Sequence, residues 1–170
     1  HKRTNSFQHL TEYRGSNFRG LQGRQILLHK SFTPMLEEID EYARMNSIRI
    51  IVNSSYRPKE DLVSRKVVKP ASRSNHFAGY AIDFNVRYQR RTYFSHELKR
   101  SNLKNLPTPI QGFIQKIRDD KELRWGGDFD DPIHIDSPLN IDDPGLWNEY
   151  VNSCFEEYST AIPKWKIWKK

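Results

Sequence analysis

Residues Gly79–Val86 alternate in the manner of a strand and carry a carboxylate at their centre. The alternation puts Tyr80, Ile82, Phe84 and Val86 on one face and Ala81, Asp83 and Asn85 on the other. Asp83 sits between Ile82 and Phe84, and a carboxylate left unpaired in such a setting is very costly. It must be paired with a cation, hydrogen-bonded or bound to a metal. A salt bridge to one of the many arginines would satisfy it, and so would a metal centre. Either way, the fold has to bring a partner to the middle of this strand.

The remaining sequence limits what that fold can be. A chain of 170 residues is one ordinary domain, 1–170, long enough to bury a core. Aromatics make up 12% of it, which argues against disorder. No apolar run exceeds three residues, as at Ile50–Val52, so no transmembrane anchor is expected. The single cysteine, Cys154, excludes an internal disulfide framework and a multi-cysteine zinc cage, and it reads as a buried residue of the last helix. No signal peptide is visible in the chain.

The net charge of +7 points to a polyanionic partner: nucleic acid, an anionic membrane or an anionic cell wall. The distribution is uneven. Residues 57–105 carry 12 Lys/Arg against 4 Asp/Glu, whereas 119–149 carry 2 against 10. No RNA-binding signature, zinc-finger spacing or basic-zipper pattern is present, and no nucleic acid is expected as partner.

Hydrophobic spacing predicts an α+β domain, a small and largely antiparallel sheet with helices packed on one side. Residues 1–33 read as a loop-rich segment. Thr33-Pro34 reads as a helix entry, with Thr33 as N-cap and Met35, Leu36, Ile39, Tyr42 and Ala43 on one face. Ile48–Val52 reads as a strand, residues 58–75 as a basic irregular segment, and 87–107 as loop or ragged helix. Thr108-Pro109-Ile110-Gln111 has the form of a capping box opening a second helix. Ile133–Asp136 reads as a short strand with His134 and Asp136 on one face, and Asp143-Pro144 opens a last helix. A basic Trp/Lys tail, 159–170, closes the chain, with Trp165 and Trp168 placed either to hold a surface or simply to pack.

Two of the six histidines have unusual neighbours: His76 just before the Asp83 strand, and His134 within a run of aspartates. Gly79 lets the intervening loop turn tightly. Together His76, Asp83 and His134 would supply two imidazoles and a carboxylate, leaving a fourth position for water. That is the pattern of a catalytic zinc site rather than a closed structural one.

The run Ser74-x-His76-x-x-Gly79-x-Ala81-x-Asp83 resembles the first metal motif of the zinc D-alanyl-D-alanine carboxypeptidase and L-alanyl-D-glutamate endopeptidase superfamily. Trp125-Gly126-Gly127-Asp128 followed by Asp131-Pro132-Ile133-His134 resembles the second motif of the endopeptidase, endolysin-like branch. Ser55-Tyr56-Arg57 falls where that family has its arginine. The matches lie in the family's order over roughly residues 34–137. The hedgehog signalling domain shares the fold.

The resemblance implies one zinc ion per chain, in a cleft on the sheet, held by His76, Asp83 and His134. It implies Asp131 as general base, with Asp130 and Asp128 as alternatives. It makes Arg57 the group that holds an oxyanion or a substrate carboxylate, and Ser74 a hydrogen-bonding group beside substrate or ligand. Asp136 shares a face with His134 and is read as a support for the ligands rather than a ligand itself. The implied activity is hydrolysis of peptidoglycan stem peptides by zinc-activated water. The implied partners are those peptides and the anionic wall, with the protein a monomer, secreted, periplasmic or otherwise delivered to the bacterial cell wall. The alternative is a hedgehog-like zinc-containing binding domain without catalysis.

Overall fold

The structure is a computed structural model that describes residues 8–59 and 73–166, with side chains up to Thr160. Its strands are β1 (Leu10–Glu12), β2 (Phe18–Gly20), β3 (Leu27–His29), β4 (Ile48–Ser54), β5 (Ala81–Tyr88), β6 (Arg91–Tyr93), β7 (Arg124–Trp125) and β8 (His134–Asp136). Its α-helices are α1 (Thr33–Met45), α2 (Ser95–Leu98), α3 (Thr108–Asp119), α4 (Leu139–Asp142) and α5 (Pro144–Lys166). Short 3-10 segments join them, among them Asn75–Ala78, Arg100–Asn105 and Gly126–Phe129.

The main sheet has the order β2-β4-β5-β8-β7, with β6 also pairing β5. All of its pairs are antiparallel except β2 with β4. β1 and β3 form a separate two-stranded sheet. The class is the expected α+β.

One face of the main sheet is apolar because its strands alternate. Ile48, Ile50 and Val52 of β4, Ile82, Phe84 and Val86 of β5 and Ile135 of β8 all point into the core. Leu36, Ile39 and Ala43 of α1 and Ile110, Phe113, Ile114 and Ile117 of α3 cover them. Phe84 meets Phe113 edge-on, with ring centroids 6.3 Å apart. Tyr42 of α1 donates to Asp120 at 2.7 Å, tying α1 to the end of α3. The opposite face of β5 and β8 is left for Asp83, His134 and Asp136.

α5 packs elsewhere. Asp143 caps it by accepting from the Leu146 amide at 3.1 Å, as its sequence leads one to expect. Trp147, Val151 and Cys154 are buried, and the Trp147 indole donates to the Ser74 carbonyl at 3.1 Å. Glu157 accepts the backbone amides of His9 and Leu10 at 2.9 to 3.2 Å, which fastens β1 to the helix.

Several local expectations are corrected. The segment 1–33, read as loop-rich, contributes β1, β2 and β3, each only three residues long and too short to show a period. The 87–107 stretch holds β6, paired to β5 through a tight turn at Gln89-Arg90. Thr33 is not a cap. The 3-10 turn Lys30–Phe32 runs directly into α1, so Thr33 is already helical, with φ −56° and ψ −42°. The capping box at Thr108 does not form either, because Gln111 reaches back to donate to the Leu106 carbonyl at 2.7 Å. Helix α5 continues to Lys166, into the Trp/Lys tail. Most of the basic segment, 60–72, lies outside the described residues.

If α3 anchors the sheet through Phe113, Phe113→Ala should lower unfolding stability by about 3–5 kcal/mol. Met45→Ala, at an exposed position, should stay within about 0.5 kcal/mol. Urea unfolding of both variants checks the comparison.

Candidate metal centre

Asp83 lies directly opposite His134 in the antiparallel β5–β8 pair. Residues facing each other across such a pair share a face, so register alone sets the two side chains together. Their nearest atoms, His134 Nδ1 and Asp83 Oδ1, are 3.3 Å apart.

His76 arrives from a turn rather than a strand. The 3-10 turn Asn75–Ala78 is capped by Ser74, whose hydroxyl oxygen accepts from the His76 amide at 3.1 Å. Gly79 closes the turn at φ 74°, where a side chain would be strained, and a Cβ there would lie 2.6 Å from the His29 amide nitrogen. The turn sets His76 Nε2 at 3.1 Å from Asp83 Oδ1. Arg57 comes from beyond β4. A bulge between Val52 and Ser54 puts Ser54 opposite Asp83. The Arg57 guanidinium then donates to the Ser54 hydroxyl and to Asp83 Oδ2, each at 3.0 Å.

The second nitrogen of each imidazole is already committed. His76 Nδ1 donates to the Ser55 carbonyl at 2.8 Å. His134 Nε2 donates to Asp136 Oδ2 at 2.8 Å. A carbonyl and a carboxylate only accept, so these bonds fix both tautomers. When neutral, each ring then turns a lone pair, His76 Nε2 or His134 Nδ1, toward the same carboxylate oxygen; with a second proton it donates to that oxygen instead. The three ligand atoms lie within 4.8 Å of one another. Three acceptors converging at that range repel unless positive charge sits among them. This donor set fits a divalent metal, and the two outer hydrogen bonds are of the kind that orient ligating histidines.

The electrostatics agree. Burial by itself pushes the Asp83 carboxyl up, but the hydrogen bonds from His134 and His76 and their charges outweigh it and hold Asp83 well below the usual carboxylate range. Burial likewise pushes His134 down, yet the hydrogen bonds to Asp136 and Asp83 lift it to about 9. With the second proton on, His134 shares it with Asp83, in the place where a metal ion would act.

Asp136 stands behind the candidate ligands, not among them. It is 2% exposed and receives Arg124 in a bidentate pair, with both bonds at 2.9 Å. Asn75 also donates to Asp136 Oδ2, at 3.0 Å. Asn75 Oδ1 in turn accepts the Asn140 amide at 3.0 Å, which ties α4 to the turn. The roles of Arg124 and Asn75 were not read from the sequence. The buried carboxylate of Asp136 was the signal that a cation had to meet it, though not which one.

Of the three candidate bases, Asp131 approaches the ligands. Its Oδ2 is 3.9 Å from His134 Nδ1, and its side chain is half exposed. Asp128 is occupied by Arg100 at 3.2 Å and Arg118 at 2.8 Å. Asp130 is exposed, in the left-handed conformation at φ 67°, at the end of the Gly126–Phe129 turn. That turn needs Gly126, since a Cβ there would fall 2.1 Å from the Asp131 carbonyl oxygen and 2.7 Å from His134 Cβ. Cys154 takes no part. It is fully buried, and burial pushes its thiol far above the ordinary range.

Of the described residues, one further set of acids converges closely enough to hold a cation: Glu38, Asp120 and Glu122, away from this face. No helix among the described residues is long and apolar enough to cross a membrane.

Comparison with known proteins was made with this geometry in hand. No curated protein sequence matches the chain. Residues 68–137 match the family model described as D-alanyl-D-alanine carboxypeptidase. The matched segment begins before His76 and ends just after Asp136, so it contains all three candidate ligands, Asp131 and the supporting carboxylate. Over this segment, the chain is similar to the D-alanyl-D-alanine carboxypeptidase family.

Proposed function

We propose that the protein is a zinc-dependent peptidase that hydrolyses peptide bonds in the stem peptides of bacterial peptidoglycan. The observation that carries this reading is the convergence of His76 Nε2, Asp83 Oδ1 and His134 Nδ1, with the outer nitrogens of both rings already bonded. His76, Asp83 and His134 hold one zinc ion per chain. Zinc, when bound, supplies Lewis acidity that acidifies a water and polarises a peptide carbonyl.

The chain's own residues do the rest. Asp131 stands at the open rim of the site, within reach of both solvent and His134. It takes the proton from the attacking water and returns it to the leaving amine. Arg57 uses one terminal nitrogen on Asp83 and its Nε on Ser54 and remains half exposed, so its remaining donors can hold an oxyanion or a substrate carboxylate. Ser74 acts through His76, by holding the amide of that residue in the turn. Asp136, with Arg124 and Asn75 behind it, keeps His134 in the ligating tautomer. The net charge of +7 suits a protein delivered to a polyanionic cell wall.

The deciding experiment is digestion of purified peptidoglycan with the zinc-loaded chain and identification of the products by mass spectrometry. New free amines and carboxyls within the stem peptides are expected. Zinc bound without any cleavage would leave a binding domain instead.

Metal analysis should find one zinc per chain, and His76→Ala should lose it. Asp136→Asn should keep the fold by circular dichroism but weaken zinc binding by about 10–100-fold in a chelator competition. A zinc affinity unchanged in Asp136→Asn would show that the outer hydrogen bond does not hold the ligand.

Asp131→Asn should retain zinc and lose about 10²–10⁴-fold in turnover. Asp130→Asn should behave as the unmodified protein. The reverse pattern would move the general base to Asp130.

A further inference from the structure

The polar face of the main sheet continues past the metal centre. Asp83, Asn85 and Arg87 share that face of β5, and Arg49 and Ile51 share it on β4. Arg49 lies directly opposite Arg87 in the antiparallel β4–β5 pair. Arg19 of β2 lies beside Ile51, so it joins the same face from the next strand, while its neighbour Phe18 lies beside Ile50 and packs against the core. Three arginines from three adjacent strands therefore stand on the side of the sheet away from α1 and α3.

No carboxylate among the described residues neutralises them. Arg19 and Arg49 are exposed and form no ion pair among those residues. Arg87 donates to the Thr92 hydroxyl at 3.0 Å, which leaves most of its donors for other partners. Between Arg87 and Asp83 this face of β5 carries Asn85, which donates to Asn53 at 3.3 Å. Asp83 is already taken by His76, His134 and Arg57. Like charges directly opposite each other destabilise a strand pair. The sheet thus keeps a local repulsion that an anion from outside would relieve.

The spacing selects the kind of anion. Neighbouring strands lie about 4.8 Å apart, so β2, β4 and β5 spread the three side chains over roughly 10 Å. A single small anion cannot meet all three, whereas a chain of repeated anions can. The guanidinium fork matches the paired oxygens of a phosphodiester. Along β5, Arg87 is roughly 13 Å from Asp83, so such a chain lies on the arginines without occupying the metal centre.

We propose that Arg19, Arg49 and Arg87 form a docking surface for a linear phosphodiester polymer of the bacterial wall, which holds the metal-bearing face of the sheet against the wall. The choice of a wall polymer over nucleic acid rests on the peptidase reading above.

The test is binding of fluorescently labelled poly(glycerol phosphate) to the zinc-loaded full chain, followed by anisotropy as salt is raised. Three phosphate contacts give a slope of roughly −2 for log affinity against log salt. Arg49→Glu should flatten that slope and weaken binding by about fivefold or more. The same substitution sets a carboxylate opposite Arg87, so its urea midpoint should stay at or above that of the unmodified chain, which separates lost docking from lost folding. Arg19→Glu, on the edge strand β2, should weaken binding in the same way. Lys116→Glu, an equal charge change on the exposed face of α3, should bind as the unmodified chain does. Unaltered binding in Arg49→Glu and Arg19→Glu would overturn the proposal. So would equal weakening in Lys116→Glu, which would make net charge the cause, or tighter binding of a DNA duplex than of the polymer. The peptidoglycan digest decides separately. A chain that docks through Arg49 yet cuts no peptidoglycan overturns the peptidase reading alone. A chain that cuts, with Arg49→Glu neutral in binding, overturns the docking surface alone.

Discussion

Asp83 is a carboxylate in the middle of the central strand, flanked on the other face by Ile82 and Phe84 in the core, and it cannot stay charged there without help. The neighbouring elements supply that help from several directions. β8 brings His134 directly opposite it, a 3-10 turn brings His76, and a bulge in β4 aligns Ser54 and Arg57. Each partner comes from a different part of the chain. The carboxylate therefore acts as a point where the sheet, the turn and the strand exit must agree, and an error in any of them leaves a half-buried charge unmet.

Around that point lies a second layer, which decides what the imidazoles can do. The Ser55 carbonyl and the Asp136 carboxylate accept one proton each, so both rings turn their lone pairs inward. Asp136 is itself held by Arg124 and Asn75, and Asn75 reaches on to α4 through Asn140. A site made only of His76, Asp83 and His134 would have three short-range contacts and two freely rotating rings. The outer bonds convert it into a preorganised set of ligand atoms. The division of the sheet into two faces makes this possible, since α1 and α3 bury the apolar side and leave the polar side to the site.

Much of this was legible in the residues. The period-2 pattern of residues 79–86 and 133–136 located the two strands and their polar faces, because alternation is a local property of the chain. The lone carboxylate at 83 and the neighbourhoods of His76 and His134 singled out the ligand candidates for the same reason. The helix periods around Leu36 and Phe113 were equally local. The misreadings fall where local signals are short or compete. Strands of three residues, such as β2 and β6, have no room for a period. The caps at Thr33 and Thr108 gave way to contacts from the preceding turn and from Gln111.

What the sequence by itself determined, then, was the chemical inventory and its placement on strand faces: two imidazoles, a core-facing strand with one carboxylate, a basic chain without a disulfide framework. What only the tertiary structure decided was pairing across distance. The register that sets Asp83 against His134 spans 51 residues, and the bond from Asn75 to Asp136 spans 61. The preference for Asp131 over Asp128 depends on Arg100 and Arg118 having already engaged Asp128. Such choices follow from which surfaces the whole core brings together, and no window along the chain contains both partners.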